Sequence, residues 1–315
     1  MNGAVPFLPD SASTAAGQLD VLSVALLVIA LATLGLVVLL LLTFCVRYRK
    51  SRHAADRNLD ERKSWVWEIS WTTASFVVFV GLYAWGADLY LQENRPPSSA
   101  ADIYVVGKQW MWKAEHPDGQ REINTLHVPV DRPIRLVMTS EDVIHGFYVP
   151  AFRLKRDVVP GRYVSLWFTA TKPGHYRLFC SQFCGTEHAE MDGEVVVMPE
   201  GDFQTWLAAN ALTGTLASEG GALFRRLGCS GCHAPGATTR APRLAGLFGR
   251  RVALCDGGSA IADEDFIRSA ILQPASNPPA GYPTTMPSFA GQVGEEDVVA
   301  LVAYIKSLAA QGGTP

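Results

Sequence analysis

A long uncharged apolar segment near the N-terminus constrains this chain more than any other feature. Residues 21–46 contain no charged side chain, and the apolar run Leu22–Val46 could cross a hydrocarbon core of about 30 Å as a helix. A second apolar run, Ile69–Ala87, is near the lower length limit for a membrane helix and has aromatic residues toward both ends. The pattern predicts a transmembrane helical hairpin over residues 21–92, against the alternative of buried core helices.

The charges around the two runs predict their orientation. The connecting loop carries seven Lys and Arg residues, whereas the residues before the first run carry none. By the positive-inside rule, the loop is cytoplasmic, and both termini and everything after about Tyr90 lie on the outer, periplasmic side of a bacterial inner membrane. The first run is too long for a signal peptide and lacks a basic start. Residues 1–20 are therefore predicted to form an extracytoplasmic N-terminal segment.

Residues 100–200 have the pattern of an all-β domain. Short runs rich in β-branched and aromatic residues alternate with turn signals such as the Pro-Gly pairs at 160–161 and 173–174. This punctuation predicts a β-sandwich or barrel. The predicted strands are Ile103–Val106, Ile134–Thr139, Tyr163–Phe168, Tyr176–Phe179 and Glu194–Met198.

Metal-binding chemistry is concentrated in residues 180–191. This segment contains Cys180, Cys184, His188 and Met191, and His145 precedes it by about 35 residues. Soft sulfur donors with imidazole select copper, zinc or iron–sulfur centres. The Met favours copper, since zinc sites favour Cys and His. The residues are compatible with a mononuclear blue-copper site or a two-copper centre with bridging thiolates. A Cys180–Cys184 disulfide is the structural alternative.

A second cofactor motif lies in residues 217–312, after an Ala-, Gly- and Thr-rich stretch at 208–218 that predicts a linker. Cys229, Cys232 and His233 form the C-x-x-C-H signature of covalent c-type haem attachment. Met286 is the predicted second axial ligand beside His233, because a Met/His pair raises the haem potential. A redox dithiol and a packing Met are the alternatives. Helical patterns at 218–227, 263–272 and 295–309 predict an all-α domain around the motif.

The stretch Ser140–His145 and the run Cys180–Met191 together resemble the CuA motif of cytochrome c oxidase subunit II, and the similarity spans about residues 20–200. It implies a cupredoxin domain, a Greek-key barrel, that holds a dinuclear CuA centre. The ligands implied are the side chains of His145, Cys180, Cys184, His188 and Met191 and the backbone carbonyl of Gln182.

Gln182 departs from the family, which usually has Glu there to help hold magnesium. Hard cations prefer carboxylates to amides, so the resemblance implies an intact copper site and leaves the magnesium site an open question. The C-terminal domain resembles a small class I cytochrome c. The whole architecture is similar to oxidases whose subunit II carries its own haem c.

Two more positions match by resemblance. Trp110 aligns with the aromatic residue through which electrons from cytochrome c arrive, and Glu68 with the carboxylate at the mouth of a proton channel shared with subunit I. The alternatives are a tryptophan that only packs the barrel and a carboxylate held at the lipid headgroups.

The resemblance implies a non-catalytic electron-transfer subunit of a proton-translocating cytochrome c oxidase. An external cytochrome c or similar donor would reduce the haem, and the electron would pass to CuA and then to subunit I, where oxygen becomes water. Subunit III and membrane lipid are further expected partners. The alternatives are the input subunit of a nitric oxide reductase, a tethered carrier and a copper-delivery protein. The net charge of -3 gives no sign of a nucleic-acid partner.

Overall fold

The computed structural model of the chain describes residues 9–49, 61–210, 214–235, 241–282 and 286–308, with the side chains of 61–64 left out. The basic residues Lys50, Arg52 and Arg57 of the predicted cytoplasmic loop lie outside this range. The chain divides into two compact units. One is Ala15–Arg95, and the other joins the residues up to Thr14 with those from Pro96 onward.

The first unit consists of two long apolar helices, α1 (Thr14–Arg47) and α2 (Glu61–Glu93). Leu, Val and Phe side chains are exposed along them, so neither has the buried face of a soluble core helix. Both are long and apolar enough to cross a membrane. At 1.5 Å per residue α1 measures about 51 Å, which exceeds the hydrocarbon core by several turns. Two N-terminal apolar helices are thus confirmed, with α1 beginning before the predicted run.

The second unit begins with two five-stranded sheets, and antiparallel pairing dominates both. Only the β1–β5 and β4–β10 pairs are parallel. The first sheet has the order β3-β2-β1-β5-β8, built from β1 (Ala101–Lys108), β2 (Met111–Glu115), β3 (Arg121–Ile123), β5 (Pro133–Ser140) and β8 (Val164–Thr169). The second has the order β4-β10-β9-β6-β7, built from β4 (Thr125–Pro129), β6 (His145–Val149), β7 (Leu154–Val158), β9 (Gly174–Cys180) and β10 (Asp192–Met198).

Alternating apolar residues of both sheets form one core, which makes this domain a sandwich. In β4, for example, Leu126 and Val128 are buried while His127 lies on the other face. Trp112 and Phe147 are among the largest fully buried side chains, and full burial of a large apolar side chain stabilises a fold by roughly 1.5–3 kcal/mol. Hydrophobic packing therefore contributes a large part of the stability of this core.

All five predicted strands are present, as β1, β5, β8, β9 and β10. Five more strands carry weak sequence signals, since β3 has three residues, β6 contains Gly146, and β7 has Lys155, Arg156 and Asp157 in its centre. Their tertiary pairing overrides their composition.

A short N-terminal segment joins this sandwich. The Ala12 N–H donates to the Ala151 carbonyl at 3.0 Å, and the Ser13 hydroxyl donates to the Phe152 carbonyl at 2.9 Å. Both residues are buried. The residues just before α1 are therefore part of the same folded unit as the sandwich.

The C-terminal domain is helical, as predicted, with one small hairpin. After α3 (Glu200–Ala209) come α4 (Leu216–Arg226), α5 (Ser230–His233), β11 (Arg251–Ala253), β12 (Ser259–Ile261), α6 (Glu264–Leu272) and α7 (Glu295–Ser307). Between α3 and α4, inside the predicted linker, the described residues are Asn210, Gly214 and Thr215. The Thr215 and Asp263 side chains cap α4 and α6 by accepting from Ser218 N–H and Phe266 N–H.

Close contact between α4 and α7 fixes the frame of the helical domain. A Cβ atom on Gly220 would lie 1.9 Å from the Ala300 carbonyl oxygen, so only glycine allows the two backbones to approach this closely. The sandwich contributes Tyr104, Val137 and Tyr163 to the same apolar cluster as the helices. The two domains therefore share a hydrophobic boundary.

Candidate metal and haem sites

Strand pairing brings together sulfur and imidazole groups that are far apart in the sequence. His145 begins β6 and Cys180 ends β9, and these strands pair with Phe147 opposite Cys180. The loop from β9 to β10 then returns Cys184, His188 and Met191 to the same end of the sandwich. The predicted ligands thus converge because one hairpin loop folds back beside the start of a neighbouring strand.

The two thiols form the centre of this cluster. Their Sγ atoms are 3.7 Å apart, much farther than the roughly 2.05 Å of a disulfide. Both cysteines are buried and free. The Cys180 Sγ lies 3.2 Å from the Gln182 carbonyl oxygen and 4.0 Å from His145 Nδ1.

The outer donors complete the set on the side of Cys184. Its Sγ lies 3.4 Å from His188 Nδ1 and 3.8 Å from the Met191 sulfur. Two thiols, two imidazole nitrogens, a thioether and a carbonyl oxygen therefore surround a small volume. Soft sulfur with imidazole is the donor set that copper prefers, so the residues fit the copper that the sequence predicted.

The surroundings shift the pKa values of the two thiols in opposite directions. Burial raises the pKa of Cys180, but hydrogen bonds from His145 and at the backbone of Gly146 and Gln182 outweigh it and lower the pKa to about 6. Burial and the adjacent Cys180 raise the pKa of Cys184 to about 12. One thiolate is thus favoured at neutral pH, and a cation that binds both sulfurs must displace the proton of the second.

Two residues outside the ligand set, Gln109 and Asp142, hold the cluster in place, and the sequence assigned them no role. The His145 Nε2 atom lies 2.8 Å from an Asp142 carboxylate oxygen, which leaves Nδ1 facing the thiols. Asp142 also accepts the Gln109 N–H at 2.7 Å, and the Gln109 side chain donates to the Cys184 carbonyl at 2.7 Å. A carboxylate behind a ligand histidine fixes its ring orientation and its tautomer.

Two tryptophans border the cluster in different ways. Trp112 is fully buried, and its ring packs edge-on against the His145 ring at 5.9 Å. Trp110 is half-buried and covers Gly185, where a Cβ atom would lie 3.1 Å from the indole ring. Gly185 has φ +126°, which other residues rarely adopt. The geometry places Trp110 beside the ligand loop and Trp112 in the core behind it.

The predicted haem residues line one apolar cavity of about 260 Å³ in the helical domain. Cys229, Cys232, His233 and Met286 all contribute to its wall. The rest of the wall is almost entirely apolar, with Phe224, Leu244, Ile267, Ile271, Phe289 and Leu301 among its residues. A flat apolar macrocycle attached through two thiols is a group that this lining fits.

The hydrogen bond of His233 supports its role as a ligand. Its Nδ1 lies 2.9 Å from the Pro242 carbonyl oxygen. Because a carbonyl only accepts, Nδ1 carries the proton and Nε2 has a free lone pair. This is the arrangement by which proteins orient histidines toward a metal.

A charged cluster joins the helical domain to the sandwich, and we call it the domain seam (Asp102, Arg135, Glu264, Lys306). Arg135 binds Asp102 with two hydrogen bonds of 2.6 and 2.7 Å and Glu264 with one of 2.9 Å. The Lys306 Nζ donates to the same two carboxylates at 2.7 and 2.8 Å. Each cation thus bridges both acids, and each acid comes from a different domain.

Further pairs extend the contact on both sides of the domain seam. Lys113 of the sandwich bridges Glu141 at 3.1 Å and Glu296 of α7 at 2.7 Å. Arg268 of α6 donates to the Gly161 carbonyl at 2.6 Å and pairs with Glu295. The contact combines this charge network with the shared apolar cluster, as expected of a fixed interface.

Protonation of the acids in the domain seam is opposed by their partners. Burial raises the pKa of Asp102, but hydrogen bonds from Arg135 and Lys306 and their positive charge hold it below its ordinary value of 3.8. Burial also raises the pKa of Glu264, and the charges of Lys306 and Arg135 lower it below 4.5. Both carboxylates are therefore ionised near neutral pH.

Glu68, the predicted channel residue, is an exposed residue of α2. Three further histidines lie in the sandwich beside carboxylates. His175 lies in β9 opposite Val196, and its Nδ1 is 3.0 Å from Glu194. His116 and His127 both contact the buried carboxylate of Glu122.

Comparison with known proteins agrees with this geometry. Residues 121–198 match the family model for the cytochrome c oxidase subunit II periplasmic domain, and residues 217–309 match that for cytochrome c. Cytochrome c oxidase subunit 2 of Alkalihalophilus pseudofirmus is 29% identical over 254 residues, which cover 76% of this chain and 72% of the relative. The counterpart in Cereibacter sphaeroides is 29% identical over 244 residues, covering 65% and 80%.

A solved structure is also similar. The periplasmic domain of subunit II of the cytochrome oxidase of Bradyrhizobium japonicum is 33% identical and aligns with 37% of this chain and 96% of its own length, at a TM-score of 0.36. Both matched domains thus occur here in one polypeptide behind two apolar helices. The chain thus combines a domain of the cytochrome c oxidase subunit II family, whose relatives are subunits of an oxidoreductase complex, with a C-terminal cytochrome c domain.

Proposed function

We propose that this chain takes electrons from an external cytochrome at its C-terminal domain and delivers them through its cupredoxin domain to subunit I of a terminal oxidase that reduces oxygen to water. One observation carries the proposal. Six donor groups for copper and four residues for haem c occur in two domains that share a hydrophobic boundary. Copper and haem c supply reversible one-electron chemistry when bound.

The proposed copper ligands are the side chains of His145, Cys180, Cys184, His188 and Met191 and the carbonyl of Gln182. Their role is to hold two ions in a nearly unchanging cage, so that little structure moves when the charge changes. The sandwich supports this role because two of the six donors lie at strand ends and the other four lie on the β9–β10 loop, which is anchored at both ends. Gln182 has an exposed side chain, and its neutral amide oxygen is a weaker ligand for magnesium than a carboxylate.

The proposed haem ligands are His233 and Met286, with Cys229 and Cys232 as the covalent anchors. The Pro242 carbonyl fixes the ring of His233. The wall around these residues is largely apolar, and surroundings of low polarity favour a high reduction potential. This combination suits a relay that accepts electrons from a mobile protein.

The domain seam constrains the two domains more strongly than a flexible linker alone would. A short linker alone would raise the effective concentration of one domain at the other to the order of millimolar. Paired charges and a shared apolar cluster hold the two domains in one arrangement. Electron transfer between them then requires no docking step.

The N-terminal contacts support the proposed orientation in the membrane. Ala12 and Ser13 lie on the sandwich just before α1, so the residues that lead into the first helix belong to the folded unit of the sandwich. The basic loop after α1 favours the cytoplasm. Both observations support a periplasmic location for the N-terminal segment and the soluble domains. Labelling Cys255 with an impermeant maleimide should occur in spheroplasts and fail in sealed inside-out vesicles.

Copurification tests the proposed function. The intact complex, isolated through a tag on this chain, should contain copper and haem c and consume oxygen when supplied with a reduced cytochrome. A Cys184→Ser variant should lose the copper absorption, and its haem c should stay reduced during the assay. A wild-type complex without the absorption of a copper dimer, or one that consumes nitric oxide in place of oxygen, would refute the proposal.

We keep Glu68 as a proposed proton-channel residue. Its support is its place on α2 and its resemblance to the family carboxylate. Glu68→Gln should slow oxygen consumption at saturating donor and leave the reduction of copper by haem c unchanged. Equal turnover of the variant and the wild type would assign Glu68 to the headgroup region.

A further inference from the structure

The cytochrome domain separates its charges sharply along the sequence. Residues 220–255, which contain the haem attachment motif, include six arginines and no Lys, Asp or Glu. From residue 256 to residue 308 the balance reverses, with seven acidic residues against Arg268 and Lys306. The seven are Asp256, Asp263, Glu264, Asp265, Glu295, Glu296 and Asp297. One part of the domain is therefore strongly basic and the other strongly acidic.

Several residues of the acidic part contact the sandwich. Glu264 and Glu296 pair with Arg135 and Lys113 of the sandwich, and Asp265 accepts the Tyr163 N–H. Glu295 pairs within its own domain with Arg268, which donates to the Gly161 carbonyl of the sandwich. Glu219, just before the basic stretch, pairs with Arg121 of the sandwich. The cytochrome domain thus contacts the cupredoxin domain through carboxylates together with Arg268 and Lys306, and the arginines of residues 220–255 that the structure describes take no part in these pairs.

Five of the arginines form an exposed set that we call the arginine rim (Arg225, Arg226, Arg243, Arg250, Arg251). Within the described residues, none of the five is paired with a carboxylate, and Arg251 donates to the Ser259 hydroxyl. The sixth, Arg240, lies outside the described residues.

The arginine rim borders the haem cavity. Four residues that adjoin these arginines in the sequence line the cavity: Leu227 after Arg226, Pro242 and Leu244 on either side of Arg243, and Val252 after Arg251. Cationic side chains thus alternate with wall residues around the segment that bears Cys229 and Cys232. A protein that donates an electron to the haem from outside this domain therefore meets the positive electrostatic potential of these arginines.

We propose that the arginine rim is the docking site for an acidic electron-donor protein. This inference rests on the proposed function and names the class of its donor. Clustered charge of one sign steers a partner of opposite charge and raises its association rate by a factor of about 10 to 1,000 at low salt. In the complex, one electron leaves the reduced donor and enters the cytochrome domain, and no bond forms or breaks.

Two other anionic groups compete for the same arginines. The two carboxylates of a bound haem can pair with some of the five cations, and the rest stay available to a partner. An anionic lipid surface would also attract them, but a rim that borders the haem cavity fits a redox partner better, because the cavity is where an electron has to arrive. The binding experiment distinguishes the haem carboxylates and the lipid surface from a protein donor.

The probe is one small basic cytochrome c in two forms, native and succinylated, so that fold and haem are matched and the charge is reversed. Binding of each oxidised form to the oxidised intact oxidase is measured by biolayer interferometry at ionic strengths of ~0.01 M and ~0.15 M, where the screening length falls from about 30 to about 8 Å. We expect the succinylated form to bind, with an affinity that drops about tenfold or more at the higher salt. Preferential binding of the native form, or binding without salt dependence, would overturn the proposal.

Variants locate the site. Arg225→Gln/Arg226→Gln and Arg243→Gln should each weaken binding of the succinylated form severalfold, with the haem absorption and potential unchanged. Arg177→Gln, which removes an exposed cation of the cupredoxin domain, is the matched control and should change nothing. A shifted haem potential in the variants would assign these arginines to the haem carboxylates. Binding of phosphatidylglycerol vesicles without binding of succinylated cytochrome would assign them to lipid.

A separate measurement distinguishes failure of this inference from failure of the proposed function. Photoreduction of haem c by a soluble dye starts electron transfer to copper without any protein donor. Transfer to copper should occur in the wild type and in the arginine variants alike. If it occurs while the succinylated form does not bind, only the docking proposal fails. If it is absent from the wild type, the proposed function fails.

Discussion

The proposed copper donors lie at one end of a sandwich whose core consists mostly of other residues. The proposed haem residues, in contrast, line a cavity whose walls are themselves the core of the helical domain. In the sandwich core, Cys180, Cys184 and Met191 are a few members among many apolar residues from both sheets. In the helical domain, Phe224, Leu244, Ile267, Ile271, Phe289, Leu301 and Ile305 belong to the core and also to the cavity wall. Folding should therefore precede cofactor binding in one domain and depend on it in the other.

The largest expected effect comes from removing the haem anchors. Cys229→Ala/Cys232→Ala should cost the helical domain about 5 kcal/mol or more, a large part of the stability of a small domain, because haem would be lost from its core. Thermal unfolding followed by circular dichroism and limited proteolysis would measure this. Cys255→Ala is the control, since Cys255 is exposed and outside the cavity wall. A double variant that melts like the wild type would contradict the comparison.

A smaller loss is expected at the contact between the two domains. Lys306→Met keeps the apolar stem but removes a cation from between Asp102 and Glu264, and breaking a buried ion pair costs about 3 kcal/mol. Protease cleavage between α3 and α4 should become faster, while each domain retains its own fold. Lys155→Met, which breaks an exposed pair with Asp157, is the matched control and should cost well under 1 kcal/mol. Unchanged cleavage in Lys306→Met would show that apolar contacts alone hold the domains together.

Acid should weaken the same contact by a smaller amount. The pKa values of Asp102 and Glu264 are depressed in the folded chain, so their contribution to stability is complete above their ordinary values of 3.8 and 4.5 and disappears as the pH falls through the lowered values. Proteolysis by an acid-active protease between pH 5 and pH 3 should reveal the opening. The wild type should open over this range, and Asp102→Asn should show a shallower dependence. A pH-independent wild type would rule out this role of the carboxylates.

The copper ligands should affect stability least among the cofactor residues. Cys184→Ala should abolish copper binding but destabilise the apo-sandwich by only about 1 kcal/mol, because the apolar core around it is complete. Chemical unfolding of the metal-free protein, compared with metal content after copper loading, separates the two effects. An unfolded variant would show that the sandwich, like the helical domain, needs its cofactor residues to fold.

The smallest change in stability is expected for Trp110→Phe, about 1 kcal/mol or less. If Trp110 carries electrons, the variant should slow the reduction of copper by photoreduced haem c with the copper absorption unchanged. Trp112→Phe serves as the comparison, because Trp112 packs in the core against His145 and should chiefly lower stability. Equal electron-transfer rates in Trp110→Phe and the wild type would leave Trp110 a packing residue.

Sequence patterns predicted the elements whose signals are local. The apolar runs anticipated α1 and α2, the Glu-rich start and apolar face anticipated α7, and β-branched runs anticipated five strands. Of the five strands that were missed, β3 has only three residues, β6 contains a glycine, β7 has three charged residues at its centre, and β4 pairs with β10, which is distant in sequence. Asp142 was visible beside His145, but only the fold shows that its carboxylate holds the His145 ring.

The sequence by itself determined the residue types of both sites, because the spacing of Cys, His and Met is read directly from the chain. It also determined the split between basic and acidic parts of the cytochrome domain. Tertiary structure alone decided which groups meet. Asp102 and Lys306 are 204 residues apart, and their contact depends on the packing of α7 against the sandwich, which no local pattern encodes. The residue types that can bind cofactors are thus specified by short sequence motifs. The contact between the two soluble domains is specified by packing between residues that are distant in sequence.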